Sequence, residues 1–312
     1  MQDNPYEILL FYKYVPVEDP ELLQQEQKQL CQDNNLTGRI IVSQEGINAT
    51  VEGTKKDTQK YLDHYLADPR FAKTHIKRSP GTGDAFPRLS IKVRPELVSL
   101  GLGQDDVDPN QVTGKRLTPE ELHQWFNSEK DFAIIDMRND YEYESGHFQN
   151  SILPNLKNFR DLKKEITNLQ KVQNKKILTV CTGGVRCEKA SGFLKQQGFK
   201  DVYQLDGGIV SYMEKYPNKN FRGKLYVFDK RKVIGFETDS AEHEIISHCK
   251  LCGATSDYYV DCANLMCHKQ FIACPKCEDE EGNVFCQKLC QIKVRFPKIT
   301  RLLTGQGAKT KK

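Results

Sequence analysis

The run Lys176-Ile-Leu-Thr-Val180 is a short aliphatic, β-branched segment that leads directly into Cys181-Thr-Gly-Gly-Val-Arg-Cys187, and helical spacing follows over 187–197. A buried strand that turns through two glycines into a helix is the building unit of a parallel sheet, and such sheets carry their chemistry at the carboxyl ends of the strands. That placement makes Cys181 the candidate reactive group. Gly183 and Gly184 allow successive backbone N–H groups to turn inward, a helix starts just beyond, and Arg186 adds a fixed charge. All three favour a thiolate over the ordinary thiol. A buried packing role is the plainer alternative for a cysteine, and the glycine loop weighs against it.

The same alternation extends on both sides. Thr118-Pro119-Glu120-Glu121 is a helix opening with threonine as cap and proline at the first helical position. Phe132–Ile135 reads as a buried strand ending at Asp136, and Val202–Leu205 as another before Asp206-Gly-Gly208. Residues 116–220 therefore form one parallel-sheet domain. Residues 100–115, rich in Gly, Asp and Asn and without apolar periodicity, read as a linker. Before it, a strand over 6–16, a helix over 20–34, two strands Arg39–Ser43 and Ile47–Val51 joined at Gln44-Glu45-Gly46, a helix over 54–68 and a strand Leu89–Val93 give the order β-α-β-β-α-β. This predicts a ferredoxin-like or acylphosphatase-like domain over 1–99. The expected fold class is α/β and α+β multidomain, and 312 residues suit two or three cores.

Eight of the 11 cysteines crowd into the remaining lobe, 221–300, as Cys249-x2-Cys252, Cys262-x4-Cys267, Cys274-x2-Cys277 and Cys286-x3-Cys290. Two short pairs alternating with two looser ones suit two tetrahedral thiolate sites, each pair gripping one side of an ion. Structural Zn2+ is the first candidate, with iron-sulfur ligation and free thiols as alternatives, and sequential or interleaved sharing both remain open. His248 and His268 flank Cys249 and Cys267 and offer substitute ligands. Few aliphatic residues lie in this segment, so a metal or cross-link is needed to hold it. The N-terminal Met-Gln-Asp-Asn-Pro lacks the pattern of an export signal, and runs such as Ile8–Tyr12 are too short to cross a membrane, so a cytoplasmic protein with reduced cysteines and no membrane partner is expected. The residues 301–312 read as a basic disordered tail.

A net charge of +4 conceals local excesses. From Arg70 to Arg94 there are seven Lys or Arg against Asp84 alone, and after Cys286 there are eight with no acid. A polyanion is the matching partner, and Arg88, Lys92 and Arg94 are the candidate contacts. A solvated face without a partner is the bland alternative.

Asp136-Met-Arg138, Glu142-Tyr143, Gly146-His147, the loop Cys181 to Arg186 and Leu205-Asp-Gly-Gly208 resemble the successive signatures of rhodanese domains. That resemblance implies Cys181 as the working group and Asp136, Arg138 and His147 as scaffold. Adding Gly38–Gly53, Leu89–Leu97, Cys181–Lys189 and Lys224–Arg231 with the cysteines after it, residues 5 to 300 resemble the oxygen-dependent tRNA uridine hydroxylases of the rhodanese-containing type. The resemblance implies an oxidoreductase that makes 5-hydroxyuridine at the wobble position, with the tRNA anticodon arm as partner, and O2 and an external reductant as co-substrates. A rhodanese-type sulfurtransferase carrying a Cys181 persulfide is the alternative, and a non-enzymatic RNA-binding or zinc scaffold a third. No dinucleotide fingerprint or His, His, carboxylate triad is present, so no organic cofactor is expected and the base itself must be made reactive. Cys181 adding to C6 of uracil, Arg186 and loop N–H groups holding the charge, and Cys187 taking part in reduction give each catalytic candidate a task.

Overall fold

Period-two alternation in the first strand puts Leu9 and Phe11 on one face and Leu10, Tyr12 and Tyr14 on the other. The computed structural model, which describes residues 4–128 and 131–295, uses both faces. The strands β1 (Tyr6–Tyr14), β2 (Thr37–Ser43), β3 (Gly46–Thr54), β4 (Lys77–Pro80) and β5 (Leu89–Val93) form a sheet in the order β4-β1-β3-β2-β5. Helices α1 (Pro20–Asp33) and α2 (Lys55–Ala67) cover the Leu9 and Phe11 face, with Leu23, Cys31, Tyr61 and Tyr65 in the shared core. Asp19 caps α1 by accepting from the Leu22 N–H, and Thr54 caps α2 by accepting from the Asp57 N–H.

One expectation needs correcting here. The strand that closes the β-α-β-β-α-β motif is Lys77–Pro80, antiparallel to β1, whereas Leu89–Val93 is an additional edge strand running parallel to β2. Lys-Arg-Ser-Pro is four residues long and carries no aliphatic side chain, so no alternation announces it.

The next elements are β6 (Lys115–Leu117), α3 (Pro119–Asn127), β7 (Phe132–Asp136), α4 (Asp140–Tyr143), β8 (Gly146–Phe148), α5 (Leu162–Leu169), β9 (Lys176–Val180), α6 (Val185–Gln196), β10 (Val202–Leu205) and α7 (Gly208–Lys215). Strands β6-β10-β9-β7 make an all-parallel sheet. Thr118 and Glu121 form a reciprocal capping box at the start of α3. The connecting stretch from Leu100 to Gly114 is more than a tether, because Leu100 and Val107 are buried in the same core as Ile135, Leu162 and Leu194.

Beyond α7, β11 (Phe221–Gly223) pairs with β8, and β12 (Leu225–Tyr226) with β13 (Val233–Ile234). The cysteine-rich lobe holds the hairpin β14 (Tyr259–Asp261) and β15 (Gln270–Ile272) and the helix α8 (Lys288–Arg295). The Lys250–Glu144 ion pair at 3.0 Å and a Tyr259 hydroxyl bond to the Tyr141 carbonyl dock it on the central domain. The 301–312 tail lies outside the described residues. Among those described, no helix is long and apolar enough to cross a membrane.

Candidate active site and metal centres

Strand β9 delivers Cys181 to the bottom of a tight cradle. The Gly184 N–H donates to the Cys181 Sγ at 3.2 Å, and the Cys181 carbonyl accepts from the Ile209 N–H at the start of α7. Gly184 caps α6 at φ +102°, a left-handed conformation that favours glycine. The close approach of α7 depends on Gly208, where a Cβ would stand 2.6 Å from the Gly184 nitrogen and 2.7 Å from the Cys181 oxygen.

Burial pushes the Cys181 thiol up. The hydrogen bond from the Cys187 thiol, the Arg186 charge and the backbone N–H groups of Cys187 and Arg186 outweigh it and hold Cys181 below the ordinary thiol range. Cys187 moves the other way, since it is buried and donates to a thiolate. The pair is thus an adjacent nucleophile and proton-bearing thiol, the arrangement a dithiol cycle requires. Arg186 is committed elsewhere: its guanidinium forms a bidentate pair with the fully buried Glu142 at 2.6 and 2.8 Å. Its field still reaches Cys181, and two of its five N–H donors are taken up by Glu142. Asp136 and Arg138 are both fully buried and paired at 2.6 Å, with Arg138 also donating to the Glu142 and Gly146 carbonyls. His147 bonds the Tyr143 carbonyl through Nδ1. These contacts fit the scaffold role that the resemblance implies for all three.

The N-terminal sheet closes over this loop with its uncovered face. A Cβ at Gly183 would meet Leu10 at 3.0 Å and one at Gly184 would meet the Tyr12 hydroxyl at 3.0 Å, so both glycines also make room for β1. Tyr12 donates to Glu188 at 3.0 Å and Tyr14 to the Val185 carbonyl at 3.3 Å. Further out, Lys189 is fully buried and bonded to Glu45, Glu96 and Asp106, which come from the first domain and the connecting stretch. Those three carboxylates also cluster as a metal site would, and the Lys189 ammonium takes the cation's place. Beside the loop a polar cavity of about 340 Å³ is lined by Tyr12, Tyr14, His75, Lys77, Arg116 and Asp206 among others. Sequence reasoning missed these residues. Alternation in β1 carried a signal for Tyr12 and Tyr14, Asp206 lies in the Asp206-Gly-Gly208 motif and Lys77 in the basic run from Arg70 to Arg94, whereas Arg116 carried none.

The predicted RNA contacts lie apart from this cavity. Arg88, Lys92 and Arg94 are exposed on or beside β5, separated from β1 by β3 and β2. Lys92 nevertheless shares a register row with Ile41, Asn48 and Tyr12, so it sits on the same sheet face as the cavity's tyrosines.

The eight C-terminal cysteines gather as Cys249, Cys252, Cys274 and Cys277, and as Cys262, Cys267, Cys286 and Cys290, each set with its sulfurs within 4.8 Å of one another. Sharing is therefore interleaved, and His248 and His268 belong to neither set. Sulfur pairs stand at 3.5 to 3.7 Å in the first set and 3.6 Å in the second. A tetrahedron with metal–sulfur bonds of ~2.3 Å has edges of about 3.8 Å, so both sets fit a single thiolate-bound ion. A multi-iron cluster would hold its thiolates on different irons and farther apart.

Comparison with known proteins follows the same three parts. Residues 6–97 match the UPF0176 acylphosphatase like domain, 118–215 the Rhodanese-like domain and 222–291 the Rhodanase C-terminal family. The chain is 43% identical over 298 residues to the tRNA uridine(34) hydroxylase of Bacillus licheniformis, covering 94% of this chain and 90% of that one. It is 41% identical to the protein of that name from Staphylococcus carnosus, covering 91% and 93%, and 39% identical to that from Cytophaga hutchinsonii, covering 92% and 90%. With all three domains matched and the cysteine cradle intact, the chain belongs to the tRNA uridine(34) hydroxylase family.

Proposed function

We propose that this protein hydroxylates C5 of uridine 34 in tRNA, using O2 and an external thiol reductant in the cytoplasm, with Cys181 as nucleophile. The observation that carries the reading is similarity over nearly the whole chain to proteins of that name, joined to a loop in which a lowered thiol and a raised one hydrogen-bond each other. The Cys181 thiolate adds to C6 of the uracil, and the enolate so formed is held by backbone N–H groups of the cradle, the kind of stabilisation worth ~3 to 4 kcal/mol per well-placed donor. C5 then captures O2 as a peroxide, and the adjacent Cys187 thiol takes its terminal oxygen. A plain sulfurtransferase has no such use for Cys187.

The two cysteine sets would each hold one zinc ion, whose contribution is to fold the lobe. Arg88, Lys92 and Arg94 would bind tRNA phosphates along the sheet face that leads to the cavity. Mass spectrometry of tRNA nucleosides after incubation with purified protein, O2 and a dithiol tests the activity, with 5-hydroxyuridine at position 34 expected and a sulfur-containing product fatal. Neutralising the three basic residues should flatten the salt dependence of tRNA affinity by about 0.7 to 0.9 in slope for each phosphate no longer neutralised. An unchanged slope would move the RNA site elsewhere.

A further inference from the structure

The first residue of β4, Lys77, is a lysine that the fold buries beside the thiol and that the scheme above leaves unused. It is 8% exposed and pairs in register with Leu10, the residue pressed against Gly183. Both project from the uncovered sheet face. Its ammonium lies 5.4 Å from the centroid of the Tyr12 ring and forms no hydrogen bond or ion pair among the described residues. Lys77 lines the polar cavity and also the apolar cleft made by Leu10, Thr182, Val210 and Phe228, so it stands in the wall between them. The charged groups around it are Cys181, Asp206, Arg116 and Glu188 from the central domain, His75 on its own segment, Lys13 and Lys73 around the cavity, and Glu214, Arg78, Asp229 and Arg231 around the cleft. Burial brings its ammonium down to about 8, and Cys181 opposes that more strongly than any other group. A buried lysine without a carboxylate partner costs stability, and methionine would fill the same space without that cost. A structural role therefore does not explain it.

We propose that Lys77 is a catalytic residue: its ammonium protonates the peroxide formed at C5, and the amine left behind removes the C5 proton when Cys181 departs. This rests on the hydroxylation reading. The sulfur electron pair forms the S–C6 bond, and the C5=C6 pair moves onto C5 and O4. Oxygen captures C5, and the resulting peroxide anion takes the Lys77 proton. The Cys187 thiol accepts the terminal oxygen, leaving a hydroxyl on C5 and a sulfenic acid on Cys187. Neutral Lys77 then takes the C5 hydrogen as a proton, its bonding pair restores C5=C6, and the S–C6 bond breaks to return the Cys181 thiolate. That thiolate displaces hydroxide from the sulfenic acid, and an external dithiol reduces the disulfide. Lys77 ends with the proton count it began with, and the flanking domain thereby supplies a proton carrier that the cradle itself lacks.

The test compares Lys77→Met and Lys77→Arg with the unaltered protein. Arginine keeps the charge but does not release a proton near neutrality. Both variants should lose at least ~100-fold in turnover at saturating tRNA, while the KM for tRNA changes little. Both should still form an adduct with tRNA carrying 5-fluorouridine at position 34 in the absence of oxygen. With ordinary tRNA and O2 they should accumulate Cys181–tRNA adducts, which the unaltered protein does not. Turnover by Lys77→Arg within about threefold of normal, with an unchanged pH profile, would overturn the proposal. So would inactive, folded variants that accumulate no adduct, or whose Cys181 no longer alkylates, since Lys77 would then only position the thiol. If Lys77→Met does not fold, Lys77→Arg alone decides the matter. Failure of the unaltered protein to make 5-hydroxyuridine would instead remove the hydroxylation reading on which this rests.

Discussion

Ten of the 11 cysteines lie in two regions that treat sulfur in opposite ways. Around Cys181 aliphatic and aromatic residues of the strands and helices make most of the core, and the loop directs backbone N–H groups and one neighbouring thiol at a single Sγ. The two thiols are therefore unequal, one held toward the thiolate and the other toward the neutral form. In the C-terminal lobe the sulfurs are much of the scaffold, with Cys249, Cys262, Cys274 and Cys290 buried beside Phe271, Ala273, Val284 and Phe285. There each set of four sulfurs gathers around its own centre. An asymmetric setting on a packed frame suits reactivity, and a symmetric set of four thiols in a small lobe suits structural ligation.

The largest expected effect separates the two regions by activity. Cys181→Ser should lower tRNA hydroxylation by more than ~1000-fold while leaving the thermal midpoint nearly unchanged, because a hydroxyl of similar volume replaces the nucleophile. Calorimetry beside a nucleoside assay checks both halves. Substantial activity in a folded Cys181→Ser protein would end the contrast.

Metal content probes the other region. Protein purified without chelator should contain about two zinc ions per chain, and Cys274→Ser should lose about one while hydrogen exchange rises across 249–277. Alkylation of Cys181 in that variant should stay near its normal rate. An ordered lobe without metal would show that the eight sulfurs are not a ligand framework.

A smaller effect sharpens the inequality within the loop. Since Cys181 sits below the ordinary thiol range partly through the Cys187 hydrogen bond, Cys187→Ala removes a stabiliser of the thiolate and must raise the pH midpoint of Cys181 alkylation, by about one pH unit. The sign is fixed: the thiolate fraction at neutral pH falls. A midpoint that stays put or drops would assign the activation to Arg186 and the backbone alone.

Local pattern was sufficient for much of this molecule. Alternating strands and helices between Arg116 and Lys215, the helix cap at Thr118, the glycine loop at Cys181 and the ligand-type spacing of eight cysteines are all written in residues close along the chain. Each is a property of neighbours, set by backbone geometry, capping or the reach of adjacent thiolates. What depends on distant segments meeting was not legible. Strand Lys77–Pro80 forms because β1 offers it an edge, not because its own residues alternate. The ion-pair partner of Arg186, Glu142, lies 44 residues earlier in the chain. Interleaved rather than sequential sharing of the cysteine pairs is decided by how the hairpin of β14 and β15 folds back. The sequence by itself determined which sulfur has a nucleophile's setting and which sulfurs have a ligand's spacing. Only the tertiary structure decided what covers the Cys181 loop, because Leu10 and Tyr12 meet its glycines and Lys77 comes within reach of its charge from more than 100 residues away, through domain packing that no local spacing encodes.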